Sequence, residues 1–188
     1  YISSEELNTA KSFIESILAN KPIDKNHEFD MNKFYLFVLY KLEESEKFKN
    51  LYNHLFDLYK LKEINKNYAP LILDYAFYSY FLGDIGTSKG YFEAIKRFNM
   101  PEFNIYYLDE VSKYLDEVMK ATVQLNKLKE ENKLGDEKYK NDNYENYVGK
   151  ANMENWEKAV NLWEASFVNP IYILSLVEVK KTMNIDNI

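Results

Sequence analysis

The chain has 188 residues, of which 46% are hydrophobic and 29% charged, a balance typical of globular proteins. Its formal net charge is −6, and Arg97 is the only arginine. Proteins that bind nucleic acids or anionic membranes normally present basic, arginine-rich surfaces, so we expect neither partner. The absence of cysteine excludes disulfides and thiolate chemistry. No apolar run is long enough to span a bilayer, so we expect no membrane insertion by this segment.

The sequence predicts an all-α protein. Five glycines and four prolines are few for this length, which favours long helices over tight turns. Apolar residues recur every three or four positions through most of the chain, as on one face of a helix. The predicted helices span residues 3–20, 31–43, 46–64, 70–82, 87–98, 103–133, 155–168 and 170–183. We expect one all-helical domain, residues 1–188, with about seven or eight helices.

Several helix ends carry recognisable signals. Ser3 and Glu6 have the spacing of a capping box at the start of the first helix. Residues 23–30 are predicted to be a polar loop, with Asp30 capping the second helix. Thr87 is predicted to cap the fifth helix.

Two segments near the carboxyl end have weaker patterns. Residues 136–151 are rich in Lys, Asp and Asn, which predicts a polar loop with a short helix. Residues 170–183 follow a proline in an all-helical context, which favours a helix. Their β-branched content also fits a strand.

Both tryptophans fall within one short segment, Asn152–Pro170. Its apolar and small side chains follow one face of a helix, at Trp156, Ala159, Val160, Trp163 and Phe167. Asn155 is predicted to cap this helix, and Pro170 to end it. We expect the tryptophans to anchor a C-terminal core against the predicted 170–183 helix.

The chain contains an internal similarity. Residues 35–42 align with residues 75–82 at an offset of 40, and Tyr, Phe, Tyr and Leu match. Each segment is followed by a short acidic turn and a second amphipathic helix. This pattern indicates two helical hairpins of similar construction.

These hairpins resemble the tetratricopeptide repeat family over about half of the chain. In that family five features follow one another along each hairpin. They are a small residue in the first helix, a Gly-Asp or Gly-Asn turn, a small residue early in the second helix, an aromatic residue and a final proline. The corresponding positions here are Ala76, Gly83, Asp84, Ser88, Phe92 and Pro101. The tryptophan segment Asn152–Pro170 resembles the second helix of such a hairpin.

The resemblance implies stacked antiparallel helical hairpins, as an α-solenoid or a helical bundle. In a solenoid the first helices line a concave face. By that resemblance, Phe37, Tyr40, Phe77 and Tyr80 are the candidate partner-binding residues. A Tyr/Phe groove of this kind would bind a helix or an extended peptide of another protein.

The sequence contains no recognisable catalytic motif. His27 lies among polar residues and His54 lies on a predicted helix, and neither has a second His or Cys at ligand spacing. Residues 83–86, GDIG, lack the strand and the further glycines of a phosphate loop. We therefore predict no catalytic, metal or cofactor site, and a protein that is not an enzyme.

Three functions fit these patterns. The first is a protein–protein interaction or scaffolding module, in a bacterial cell-envelope or lipoprotein assembly after signal removal. The envelope location is favoured over the cytoplasm because the chain starts at Tyr1, lacks cysteine and is acidic yet lysine-rich. The second is a ligand-sensing domain with a peptide or sugar in an aromatic groove. The third is a hydrolase with a carboxylate pair, whose spacing is a tertiary property.

The partner and the oligomeric state stay open, and the chain is compatible with being a piece of a longer protein.

Overall fold

The computed structural model describes residues 3–20, 23–133, 136 and 144–168. All regular structure within these ranges is helical, so the predicted all-α class is confirmed. The α-helices are α1 (Ser4–Ala19), α2 (Lys25–Lys41), α3 (Ser45–Leu58), α4 (Ala69–Phe81), α5 (Ile85–Phe98), α6 (Leu108–Glu130), α7 (Tyr144–Val148) and α8 (Lys150–Ser166). Short 3-10 helices occupy Leu61–Glu63, Lys66–Tyr68 and Pro101–Tyr106. None of the helices described combines the length and hydropathy needed to cross a membrane.

The predicted loop at residues 23–30 is wrong. The carboxylate of Asp24 accepts hydrogen bonds from the backbone N–H groups of Asn26 (2.9 Å) and His27 (3.4 Å). This side-chain cap satisfies orphan donors at the helix start, so α2 begins six residues before the predicted Met31. Asp30 therefore lies inside the helix and does not cap it.

Other boundaries also differ from the prediction. The predicted helix 103–133 is divided, because residues 101–106 form a 3-10 helix and α6 begins only at Leu108. The tryptophan helix begins at Lys150 and not at Asn155. The short helix predicted within residues 136–151 is present as α7, Tyr144–Val148. The predicted 170–183 helix lies outside the described residues.

The chain folds as two compact units. The first includes α1, α2 and α3, and Phe167 also belongs to it. Helix α2 is buried along most of Met31–Leu39, and the ring of Phe37 stacks on that of Phe167 at 4.0 Å. The predicted capping box of α1 is confirmed, because the hydroxyl of Ser3 accepts from the Glu6 N–H and the Glu6 carboxylate accepts from the Ser3 N–H.

A polar network joins the three helices of the first unit. Tyr35 donates its hydroxyl proton to Glu15 across 2.6 Å, and Lys47 lies 3.4 Å from the same carboxylate. Lys11 pairs with Glu44, which also lies 3.6 Å from Lys47. Burial and the hydrogen bond to Glu15 raise the pKa of Tyr35, and the same bond lowers the pKa of Glu15. The network thus holds Tyr35 neutral and Glu15 charged at pH 7.

The second unit, Ile64–Glu164, is organised around α4. Nearly every residue from Leu71 to Ser79 is buried, because α5 covers one side and aromatic side chains of α6 and α8 cover another. The approach of α5 is close: Ser88 is fully buried and donates its hydroxyl to the carbonyl of Ala76 at 2.6 Å. Small side chains at both positions allow this contact.

The turns after α2 and α4 have the same hydrogen bonds at an offset of 40. The N–H groups of residues 42, 43 and 44 bond to the carbonyls of 38, 40 and 39, and those of 82, 83 and 84 bond to 78, 80 and 79. Glu43 and Gly83 both adopt left-handed backbone angles, with φ of 57° and 86°. One difference lies at the following residue, since Asp84 caps α5 with its side chain and Glu44 makes no such bond to α3. The tetratricopeptide resemblance goes beyond this shared local geometry and stays a prediction.

The Asp84 cap predicts a pH-dependent contribution to stability. Asp84 accepts from the backbone N–H of Thr87 (3.0 Å) and from its hydroxyl (2.7 Å), and these bonds lower the pKa of Asp84 below its ordinary value of 3.8. A lowered folded-state pKa gives stability that is present above the unfolded pKa and is lost as pH falls through the folded pKa. Asp84→Ala should cost about 1 kcal/mol at pH 7 in urea unfolding followed by circular dichroism, and less near pH 3.

Asp84→Asn is the matched control, because asparagine caps helices about as well as aspartate without titrating. It should keep most of the stability at pH 7, and its advantage over Asp84→Ala should not change with pH. Equal stability of the alanine variant and the wild type at pH 7 would contradict the cap.

Candidate functional site

The four predicted partner-binding rings have different surroundings. Phe37 is 1% exposed and Phe77 is fully buried, so both are core residues in this structure and offer no ring face to a partner. Tyr40 and Tyr80 are half-buried. The structure places Phe37 and Tyr40 in the first unit and Phe77 and Tyr80 in the second. The correction has a physical reason: a helix that is apolar on nearly all sides gives no periodic signal for the face that stays open.

Tyr80 belongs to a cluster of rings around Trp156. The ring centroid of Trp156 lies 4.3 Å from that of Tyr80 and 5.0 Å from that of Tyr114, with which it is stacked. The hydroxyl groups of Tyr80 and Tyr114 are 2.6 Å apart and share a hydrogen bond. These contacts join α4, α6 and α8, so we assign Tyr80 mainly to internal packing.

The other tryptophan is held by a buried carboxylate. The indole N–H of Trp163 donates to Oδ1 of Asp74 at 2.9 Å, and the Asp74 side chain is 1% exposed. Phe77 stacks on the Trp163 ring at 4.6 Å, and Tyr78 packs edge-on at 5.1 Å. Both tryptophans are buried, as expected of anchors, but α4 is the helix they pack against. The predicted 170–183 partner helix lies outside the described residues.

The carboxylates of the described residues lie mostly at the surface. Asp74 is the one acid with a buried side chain there, and its oxygen is engaged by Trp163. No group of three or more His, Asp or Glu side chains within these ranges is arranged to hold a metal ion. Both histidines lie in the first unit, His27 beside Asp24 at 3.5 Å and His54 exposed.

A cleft of about 430 Å³ lies in the second unit, where α5 turns into α6. Its walls combine apolar side chains such as Ile95 and Met100 with polar ones. The polar and aromatic lining residues are Lys96, Asn99, Asn104, Tyr107, Asp109 and Glu110. We call this site the Tyr107 cleft.

The local sequence explains why the cleft forms. Asn99 ends α5 in the left-handed conformation (φ 51°), which asparagine tolerates well. Pro101 then starts a 3-10 helix that ends at Tyr106, and Tyr107 adopts φ 51° before α6 begins. The chain thus reverses through two left-handed residues, Asn99 and Tyr107, and the space between them is the cleft.

Tyr107 is a strained residue at the rim of this cleft. A positive φ is rare for bulky side chains, because Cβ crowds the backbone, and it costs about 1–2 kcal/mol. Tyr107 is nevertheless 43% exposed, and the nearby Ile105 is 56% exposed. Strained backbone and exposed apolar surface often occur together at binding sites.

Negative charge exceeds positive charge in the cleft. Lys96 pairs with Asp109 at 2.6 Å, and Glu110 makes no ion pair with any other described residue. The lining groups can hold a ligand by hydrogen bonds from the two asparagines, by apolar contact with Tyr107 and Met100, and by the charge of Glu110. Among the lining residues there is no histidine, serine or threonine to act as base or nucleophile.

The sequence prediction missed this site because residues 103–133 looked like one continuous helix. The informative signals were the breakers Asn99 and Pro101 and the adjacent tyrosines at 106 and 107. Their combination indicates an interruption of the helix with aromatic side chains beside it.

No protein-family model, no curated protein and no solved structure matches this chain.

The contact between Asp74 and Trp163 should make a measurable contribution to stability. Asp74→Ala leaves the indole N–H buried without its acceptor, which should cost about 1–3 kcal/mol of unfolding free energy. Asp74→Asn keeps an acceptor oxygen and should cost less. The measurement is urea unfolding followed by tryptophan fluorescence and circular dichroism.

Trp163→Phe provides the control for this pair, since it removes the indole donor. In the Trp163→Phe background, Asp74→Ala should cost less than in the wild type, which is the coupling that a double-mutant cycle detects. An equal cost in both backgrounds would show that the hydrogen bond is not what makes Asp74 important.

The strain at Tyr107 can be measured with two variants that both remove the ring. Asparagine tolerates left-handed angles and can cap α6, whereas alanine does neither. Tyr107→Asn should therefore be more stable than Tyr107→Ala by about 1 kcal/mol in thermal and urea unfolding. Equal stability of the two variants would argue against a left-handed residue at this position.

Proposed function

We propose that this chain is a protein–protein interaction module that binds a segment of another protein in the Tyr107 cleft. The observation that carries the proposal is the coincidence of an open cleft with the strained, exposed Tyr107 and the exposed Ile105. The volume of about 430 Å³ falls within the range of ligand-binding pockets.

The composition of the cleft supports a protein partner. Binding surfaces typically combine aromatic and apolar contact at the centre with hydrogen-bonding groups at the rim. Tyrosine suits the centre because it offers a large contact area with only two side-chain rotations to fix. Asn99 and Asn104 supply donors and acceptors that can pair with a peptide backbone.

The helices beside the cleft contact one another, which favours binding further. The Lys89 ammonium pairs with Asp116 and so connects α5 to α6, and it also lies 3.7 Å from Glu93 on its own helix. Phe77 packs edge-on against Phe92 of α5, so α5 is also anchored to α4. A loop presented by fixed helices loses little conformational entropy on binding.

A small ligand such as a sugar is the second candidate function. Amide and carboxylate groups beside a tyrosine ring can bind sugar hydroxyls, and the cleft has both. A protein segment is preferred because the cleft is open and Ile105, two residues before Tyr107 in the chain, is 56% exposed. Pockets for small molecules usually bury most of the ligand surface.

The tetratricopeptide family and the cell-envelope location remain parts of this proposal, and the location rests on sequence patterns alone. The stacked-hairpin family is supported by the shared turn geometry after α2 and α4. A carboxylate-dependent hydrolase is not proposed, because Asp74 is the one buried acid within the described ranges.

Peptide display tests the proposed function. Phage carrying random linear dodecapeptides should yield an enriched family of sequences on the immobilised protein. Synthetic peptides from that family should bind at least about fivefold more weakly to Tyr107→Ala and to Ile105→Ser, because truncating an aromatic or apolar anchor costs more than about 1 kcal/mol. Fluorescence anisotropy measures the affinities.

Val123→Ser is the matched control. Val123 is exposed on α6, roughly 24 Å along the helix axis from Tyr107, and should leave binding unchanged. Failure to enrich any peptide, or equal losses in all three variants, would overturn the proposal. Saturation-transfer NMR signals from neutral saccharides, lost in Tyr107→Ala, would instead support the small-ligand alternative.

A further inference from the structure

We propose that the segment bound in the Tyr107 cleft presents a basic side chain next to an apolar one. This inference rests on the proposed function and specifies the chemistry of the partner. The apolar side chain would contact Tyr107 and Ile105, and the basic one would pair with Glu110.

The charges in the cleft support a cationic partner group. The ammonium of Lys96 is already neutralised by Asp109 at 2.6 Å, which leaves Glu110 as the charged lining group without an ion-pair partner among the described residues. An arriving anion would meet Glu110 and a cation that is already paired. An arriving cation meets an available carboxylate, so the cleft is electrostatically complementary to Lys or Arg.

The start of α6 does not reverse this preference. A helix N-terminus carries roughly half a positive charge, which by itself favours anions. Asp109 and Glu110 lie in the first turn of α6 and already place two carboxylates there. The net charge of −6 on the chain adds a long-range attraction for basic partners.

The apolar side chain of the proposed segment is inferred from the position of Tyr107 in the cleft. Tyr107 and Glu110 both line the cleft and lie three residues apart across the start of α6. Adjacent side chains of an extended peptide point to opposite faces, whereas residues two positions apart share a face and are spaced about 6–7 Å apart, so a pair at i and i+2 can present both side chains to the cleft. The apolar residue of that pair gives the contact area, and the basic residue gives the selectivity.

Peptide arrays test this inference. Three sets of decapeptides carry a central Leu-Ala-Lys, Leu-Ala-Gln or Leu-Ala-Glu triplet in otherwise randomised neutral sequence. The wild-type protein should bind the lysine set more strongly than the glutamine set, by up to about fivefold, which is the upper end expected for a solvent-exposed ion pair. Binding to the glutamate set should be weakest, and the preference for lysine should decline as salt is raised from 50 to 500 mM.

Glu110→Gln should reduce the preference for lysine over glutamine to near parity. Glu102→Gln is the control, because Glu102 is an exposed acid of the neighbouring 3-10 helix that does not line the cleft. Glu102→Gln should keep the preference for lysine over glutamine. Circular dichroism of each variant verifies folding.

The outcomes separate the two proposals. Binding that depends on Tyr107 but shows no preference for lysine, or a lysine preference that survives Glu110→Gln, overturns this inference and leaves the proposed function standing. Absence of any binding that is sensitive to Tyr107→Ala overturns both.

Discussion

The burial of α4 is the constraint on which the second unit depends. This helix is apolar on nearly all sides, and leaving its surface in water would be costly, so α5, α6 and α8 must supply covering side chains. A helix that is apolar all round can be covered in several rotational settings. The hydrogen bond from the indole of Trp163 to Asp74 selects one, because another setting would leave a buried polar group without its partner. The contact of Ser88 with the carbonyl of Ala76 fixes the approach of α5 in the same manner.

The aromatic rings that pack in the core of the second unit and the proposed binding cleft lie in different parts of that unit. Most of the large rings of α4 and α8 pack in the core, where Trp156 contacts Tyr80 and Tyr114. The exposed ring of Tyr107 lies where regular packing stops, between the end of α5 and the start of α6. Both ends of that interruption use left-handed backbone angles, at Asn99 and Tyr107. The rigid helices on either side hold the interruption open, so the cleft is a consequence of how two helices are joined.

The electrostatics differ between the core and the cleft. In the first unit, ion pairs and the hydrogen bond from Tyr35 to Glu15 connect helices, and their charges are internally matched. In the Tyr107 cleft, Lys96 pairs with Asp109, and Glu110 has no ion-pair partner within the part of the chain that the structure describes. A matched network serves mainly to position helices, whereas an unmatched charge beside an exposed ring is a means of choosing a partner.

The sequence by itself determined the helical class, most helix positions and the capping box at Ser3, because these depend on local periodicity and on neighbours within one turn. It also placed the two hairpin turns at an offset of 40, since their residues set the backbone locally. It could not assign Phe37 and Phe77 to the core, because burial on an all-apolar helix is decided by distant elements. It also gave no sign that Asp74 meets Trp163, 89 positions away. Only the tertiary structure decided these contacts and the Tyr107 cleft, because they depend on which helices meet in space.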